Sequence, residues 1–214
     1  MQFTVRIAGA TVFGLCLIPL VMAQEPAPGG AAAQPQAARP AAKAQSRPSG
    51  QRVKVDPALV SVEDGDTVAI RWPGTDGEEI VRILGIDTPE TRRLEHNIPF
   101  DQPFGKEADA FAKGAFAAAS DVELLRCSTL DPYGRTLGYL FINGRNFSIM
   151  VIKARYSTET VSHYGDNGLP AEAAQIKAAA KDIGPLPFEP PHVFRARMRD
   201  LTTWMKQTGQ YPAN

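Results

Sequence analysis

Cysteine is nearly absent from this chain. Only Cys16 and Cys127 carry a thiol among 214 residues, and Cys16 lies in an N-terminal stretch that reads as removable. A single remaining cysteine excludes an internal disulfide, and Cys127 reads as a small buried hydrophobe. Histidine is almost as scarce. His96, His163 and His192 lie far apart, without H-x-x-x-H spacing or a cysteine pair, which argues against a zinc site. No Gly-rich phosphate loop and no nucleophile elbow occur. Excess charge of either sign is missing too: Lys plus Arg and Asp plus Glu each total 23. Affinity for a polyanion would therefore have to come from local arrangement.

What is present divides into three parts. Residues 1–23 read as a signal peptide: Arg6 gives a positive start, 7–23 is apolar and uncharged, and Val21-Met22-Ala23 fits a cleavage site before Gln24. The run falls short of the about 20 apolar residues of a membrane helix. It predicts export to the periplasm or the medium, with no stable span after cleavage. Residues 24–50 are rich in Pro, Ala, Gln and Gly and hold no aromatic residue, the composition of a disordered tether. Residues 51–214 then form one domain. Taking Arg6, Arg39, Lys43, Arg47 and Glu25 from the two totals of 23 leaves 19 basic and 22 acidic residues there.

Within that domain, strands are predicted at 58–62, 67–72, 79–86, 121–129 and 136–142. Ala108, Phe111, Ala112, Ala115, Phe116 and Ala119 recur at helical spacing over 105–119. Further helices are predicted at 147–155, 170–180 and 192–206. Five short strands with a helix after the third read as α+β in the order of an OB-fold β-barrel, with additional C-terminal helices. The polar loop 91–104 contains Arg92-Arg93, which reads either as a nucleic-acid backbone contact or as solvated charge. Arg195, Arg197 and Arg199 alternate on a helix, cannot share one face, and read as solvated surface.

Chemistry concentrates where strands end. Arg82-Ile83-Leu84-Gly85-Ile86-Asp87-Thr88-Pro89-Glu90 is an apolar run that Pro89 stops, since proline donates no ladder hydrogen bond. Gly85 marks a bend or a close backbone approach. Asp64-Gly65-Asp66-Thr67 and Asp131-Pro132-Tyr133-Gly134-Arg135 are turns entering strands. Together they offer the carboxylates of Asp66, Asp87 and Glu90 and the guanidinium groups of Arg82 and Arg135. Oxygen-only ligands suit calcium or magnesium, and guanidinium forks match phosphate oxygens.

D-G-D-T at 64–67, R-x-L-G-I-D-T-P-E at 82–90, G-x-E-A at 105–108 and D-x-Y-G-R-x-L at 131–137 together resemble the staphylococcal nuclease (thermonuclease) family, over about residues 60–152. The resemblance implies an OB-fold barrel and a calcium ion held by the carboxylates of Asp66 and Asp87 and the carbonyl of Thr88. It implies that Glu90 orients or deprotonates the attacking water and that Arg82 and Arg135 bind the phosphate. Tyr133 matches a position near the substrate phosphate, or else packs the hairpin. The expected partner is DNA and/or RNA, cleaved by a monomer. Departures occur at Pro132, where the family often has lysine, at Ser148-Ile149 in place of an Asn-Glu pair, and at Arg155 in place of a helix-ending glycine. Beyond about residue 156 the chain diverges. The competing reading is a non-catalytic OB-fold module that grips nucleic acid or protein; Glu90, facing a phosphate, argues for the enzyme.

Overall fold

The computed structural model describes residues 43–212. The signal peptide expected at 1–23, and the tether as far as residue 42, lie outside the described residues. No helix among the described residues is long and apolar enough to cross a membrane.

The fold is α+β. A short strand, β1 (Arg52–Val55), precedes a one-turn 3-10 helix at Pro57–Leu59 whose cap is Asp56, its carboxylate accepting from the Ala58 amide at 2.9 Å. There follow β2 (Val60–Asp64), β3 (Thr67–Ile70) and β4 (Glu79–Ile83), an antiparallel meander. Helix α1 (Gly105–Ala117) intervenes before β5 (Val122–Leu130) and β6 (Thr136–Ile142), and the two-residue β7 (Arg145–Asn146) returns on β6. The sheet order is β1-β5-β6-β4-β3-β2, with β4 and β6 parallel.

Among the described residues seven strands replace the five expected, and the sheet's hydrogen-bonded path is open, from β1 to β2. The sequence hid β1 because Arg-Val-Lys-Val is too short to stand out. Only its register on β5, Val53 opposite Leu124 and Val55 opposite Val122, gives it a partner. The two edge strands are consecutive in the chain, separated by the turn at 57–59.

The core lies between the curled sheet and α1, α2 (Phe147–Lys153) and α4 (Pro170–Ala180), with Tyr139, Phe147, Leu140, Ile152 and Ile176 fully buried. A single turn, α3 (Val161–Tyr164), adds Val161. Cys127 is buried and, among the described residues, unpaired. The last helix, α5 (Pro191–Gln207), stands apart from this core. Phe194 and Met198 pack with Ile98 in a separate small cluster.

Two local expectations fail for tertiary reasons. Arg155, expected to resist a left-handed conformation, adopts φ +66°. Its guanidinium donates to the carbonyls of Ile183 and Pro185 at 2.6 and 2.7 Å, contacts that offset the modest cost of that conformation. Residues 43–50, assigned to the tether, lie against β5 and β6. Ala44 bridges Thr129, Gln45 donates to the Thr136 hydroxyl at 3.0 Å, and Arg47 approaches Glu79 at 3.6 Å. A chain trimmed to 51–214 should therefore be less stable than 43–214 by about 2 kcal/mol, the net worth of a few hydrogen bonds. Urea midpoints of the two would check this; identical midpoints would reduce residues 43–50 to bystanders.

Candidate active site

Asp87 and Glu90 stand on a corner braced from several sides. β4 ends at Ile83, and Gly85 turns the chain with φ +82°. A Cβ there would press on Ile176 at 3.2 Å and Tyr139 at 3.3 Å, so glycine answers both a conformation and a close approach. The Leu84 carbonyl accepts from Ser148 Oγ at 2.7 Å, and the Gly85 carbonyl from the Thr160 amide at 3.1 Å. The Asp87 amide donates to Ser157 Oγ at 2.9 Å. Glu90 is clamped by buried Gln102, which accepts from the Glu90 amide at 3.1 Å and donates its own amide to the Glu90 carbonyl at 2.8 Å. The start of α1 closes on the same carbonyl: any Cβ at Gly105 would collide with it.

Asp66 arrives from the β2–β3 turn. Its Oδ2 accepts from the Thr88 amide at 2.9 Å and the Thr88 hydroxyl at 3.2 Å, which ties the D-G-D-T turn directly to the D-T-P-E corner. Gly65 makes this approach possible, since a Cβ would lie 2.6 Å from Thr88 Oγ1. Neighbouring Asp64 is pushed up to about 7 by burial and by the Asp66 charge, against the pull of the Asp66 amide, Arg93 and Arg82.

Arg82 lies between the carboxylates. One guanidinium nitrogen is 3.2 Å from Asp66 Oδ1 and donates to the Ile83 carbonyl at 2.8 Å. The other is 3.2 Å from Asp87 Oδ1 and donates to the Ile86 carbonyl at 3.0 Å. Burial would lower the Arg82 pKa, but Asp66, Asp87 and Asp64 raise it above the usual arginine value. Arg135 lies one residue before β6, at the end of the turn that leads into it. The β4–β6 register sets Val81 opposite Thr136 and Arg82 opposite Leu137, so Arg135 enters the sheet beside the end of β4 that carries Arg82. Arg135 is held by Asp131, whose carboxylate accepts from the Arg135 amide at 2.8 Å and from Nε at 2.6 Å. Among the described residues it makes no contact with Asp66, Asp87 or Glu90. Tyr133 is exposed, with the Arg135 guanidinium 5.7 Å from its ring.

The arginine that completes the corner is one the sequence reading assigned to solvent. Arg195 of α5 forks onto Asp87, Nη1 to Oδ1 and Nη2 to Oδ2, both at 3.0 Å. Nη1 also reaches Glu90 Oε1 at 2.5 Å. Alternation along the helix does separate Arg195 from Arg197, which pairs with Glu189. The side facing away from Arg197 meets the corner, and Arg195 is half-buried there. Burial pushes the Glu90 carboxyl up, and Asp66 and Asp87 add to this, while Arg195 pulls it down. Gln102 and Ser157 were likewise missed, because their roles are backbone contacts across 12 and 70 residues of sequence. Arg93 is partly structural, bonded to the Glu63 carbonyl and 3.5 Å from Asp64. Arg92 is exposed and lines, with Lys106 and Asp101, a cleft of about 430 Å³ on the loop after Glu90.

The corner thus gathers Asp66, Asp87, Thr88, Glu90 and Arg82, leaves Arg135 and Tyr133 on an adjoining face, and adds Arg195. Among the described residues no three carboxylate, histidine or cysteine groups are disposed as a ready metal cage. Guanidinium groups stand between the acids. The oxygens of Asp66, Asp87 and Thr88 are nonetheless the donor type a hard divalent cation takes, and two of those carboxylates already share one cation, Arg82.

The family model described as Staphylococcal nuclease homologue matches residues 80–183. Among similar curated proteins, a Thermonuclease from Staphylococcus intermedius is 38% identical over 92 residues, 43% of this chain and 52% of the relative. A Thermonuclease from Staphylococcus hyicus is 34% identical over 95 residues, 44% and 53% of the two chains. Endonuclease YncB of Bacillus subtilis (strain 168) is 29% identical over 104 residues, 48% and 47%. The chain spans about half the length of these relatives. Residues 80–183 include β4 from Ile80 on, Arg82, Asp87, Thr88, Glu90 and Arg135; Asp66 precedes that match and Arg195 follows it.

Proposed function

We propose, from the match of residues 80–183 to the staphylococcal nuclease family model, that this chain is a calcium-dependent hydrolase of the phosphodiester bonds of DNA, RNA or both. The observation that supports this most is the convergence of Asp66, Asp87 and Glu90 on two guanidinium groups at one braced corner. The sheet order supports an OB-type barrel in which residues 52–64, bent at the turn 57–59, take the place of one long first strand.

Asp66, Asp87 and the Thr88 carbonyl would hold the calcium ion, which supplies Lewis-acid polarisation of a phosphodiester oxygen when bound. Glu90 accepts the proton of the attacking water as the new P–O bond forms and the bond to the leaving oxygen breaks. Burial raises its proton affinity toward that task. Gln102 and Gly105 hold its backbone, so the carboxylate needs no search for position. Arg82 and Arg135 bind the phosphate oxygens and meet the charge that grows on them. Exposed Tyr133 lies beside Arg135, where a phosphate or base of the substrate would pass.

The test is a cleavage assay on both polymers with and without added calcium. The parent should cleave only with the metal. Glu90→Gln should lose about 10²–10⁴ in turnover, the usual worth of a general base, with calcium affinity little changed. A parent that binds both polymers yet cleaves neither would leave only the binding-module reading.

A further inference from the structure

We infer that Arg195 is a built-in counter-cation of the corner, which competes with the divalent metal for Asp87, so that docking of α5 sets the metal affinity. This rests on the function proposed above. The geometry makes the competition direct. Both Asp87 oxygens are engaged by the Arg195 fork at 3.0 Å, and Oδ1 also by Arg82 at 3.2 Å. A metal at Asp87 must take at least one of those oxygens from Arg195. Charge points the same way. Three acids, Asp66, Asp87 and Glu90, face the two cations Arg82 and Arg195. Exchanging Arg195 for a divalent ion neutralises the set, whereas keeping both leaves a surplus positive charge in a buried place.

The helix that carries Arg195 is attached so that it can yield. α5 takes no part in the main core and rests on Ile98 through Phe194 and Met198. Apart from Arg195 itself and the Arg197–Glu189 pair, its polar ties go to the same loop: Thr202 Oγ1 to the Asn97 carbonyl at 3.0 Å and Lys206 to the Asn97 side chain at 2.7 Å. The helix buries only Phe194, Met198 and Met205 among its large apolar side chains, and so small a set opens at lower cost than the main core, which makes local release accessible without global unfolding. Residues 191–207 also lie beyond the family match. By linkage, whatever Arg195 costs the metal, the metal costs the docking of α5 in equal measure.

Calcium titrated calorimetrically into the full chain and its Arg195→Gln, Met198→Ala and Asp87→Ala variants tests this, alongside hydrogen exchange of α5. Arg195→Gln should bind calcium about tenfold more tightly than the parent, within the span usual for coupled sites. Met198→Ala, which loosens α5 without touching the corner, should shift affinity in the same direction. Calcium should speed amide exchange in α5 of the parent. Unchanged or weaker binding by Arg195→Gln, with binding abolished in Asp87→Ala, would overturn the competition while the metal reading stands. Calcium binding undiminished in Asp87→Ala would instead remove the metal reading, and the competition with it.

Discussion

Arg82→Lys should lower phosphodiester turnover by about 10³-fold or more, at the lower end of what an arginine meeting transition-state charge contributes. Lysine keeps the charge, but it is a single point where the guanidinium is a planar fork. Here the fork spans Asp66 and Asp87 and donates to the carbonyls of Ile83 and Ile86. One ammonium cannot reach all four. Arg135→Lys should also lose orders of magnitude, for a simpler reason: its side chain is positioned through Nε on Asp131, a contact lysine lacks. Single-turnover cleavage rates, with thermal melts of each variant, separate lost chemistry from lost structure. Parent-like rates in both variants would remove this corner from the chemistry.

Arg126→Ala should be the most destabilising single change, by about 3–5 kcal/mol, since it strands a buried carboxylate. Glu79 and Arg126 are both buried and pair bidentately at 2.8 and 2.8 Å. Trp72 Nε1 and Thr136 Oγ1 each donate to Glu79 at 2.6 Å. Burial by itself would push the Glu79 carboxyl up, but Arg126, Thr136 and Trp72 hold it below its ordinary 4.5. A depressed carboxylate contributes stability that is complete above that ordinary value and is lost as pH falls through the lower folded one. Urea unfolding from pH 7 down to pH 3 should therefore show the parent losing stability in acid more than Arg126→Ala does. Parallel pH profiles, or a cost under about 1 kcal/mol, would mean that the pair is not what holds β4 to β5 and β6.

Much of the candidate site was legible because its parts are local. Asp-Gly turns, a proline that stops a strand and a glycine that bends one each act within a few residues, so their chemistry shows in a linear pattern. The convergence of Asp66 with Thr88 is longer in range, yet Gly65 and Pro89 mark both ends. Tyr133 and Arg135 followed from a turn whose Asp131 bonds its own neighbours. β1 was not legible, because four alternating residues become a strand only when β5 offers a partner. Residues 43–50 look like tether, yet they lie along β5 and β6 because those strands leave ladder and side-chain partners for them.

By itself the sequence determined the α+β class, the meander, the amphipathic α1, and the identity and order of the residues at the corner. These depend on period, turn chemistry and backbone restriction, all short-range. The tertiary structure alone decided that the hydrogen-bonded sheet runs open from β1 to β2, that Gln102 and Ser157 brace the corner, and that Arg195 crosses 105 residues of sequence to reach Glu90. The physical reason is the same in each instance. A helix's sequence shows which residues share a face, but not what that face meets, and an arginine turned toward water has the same local pattern as one turned toward the carboxylates of buried Asp87 and half-buried Glu90.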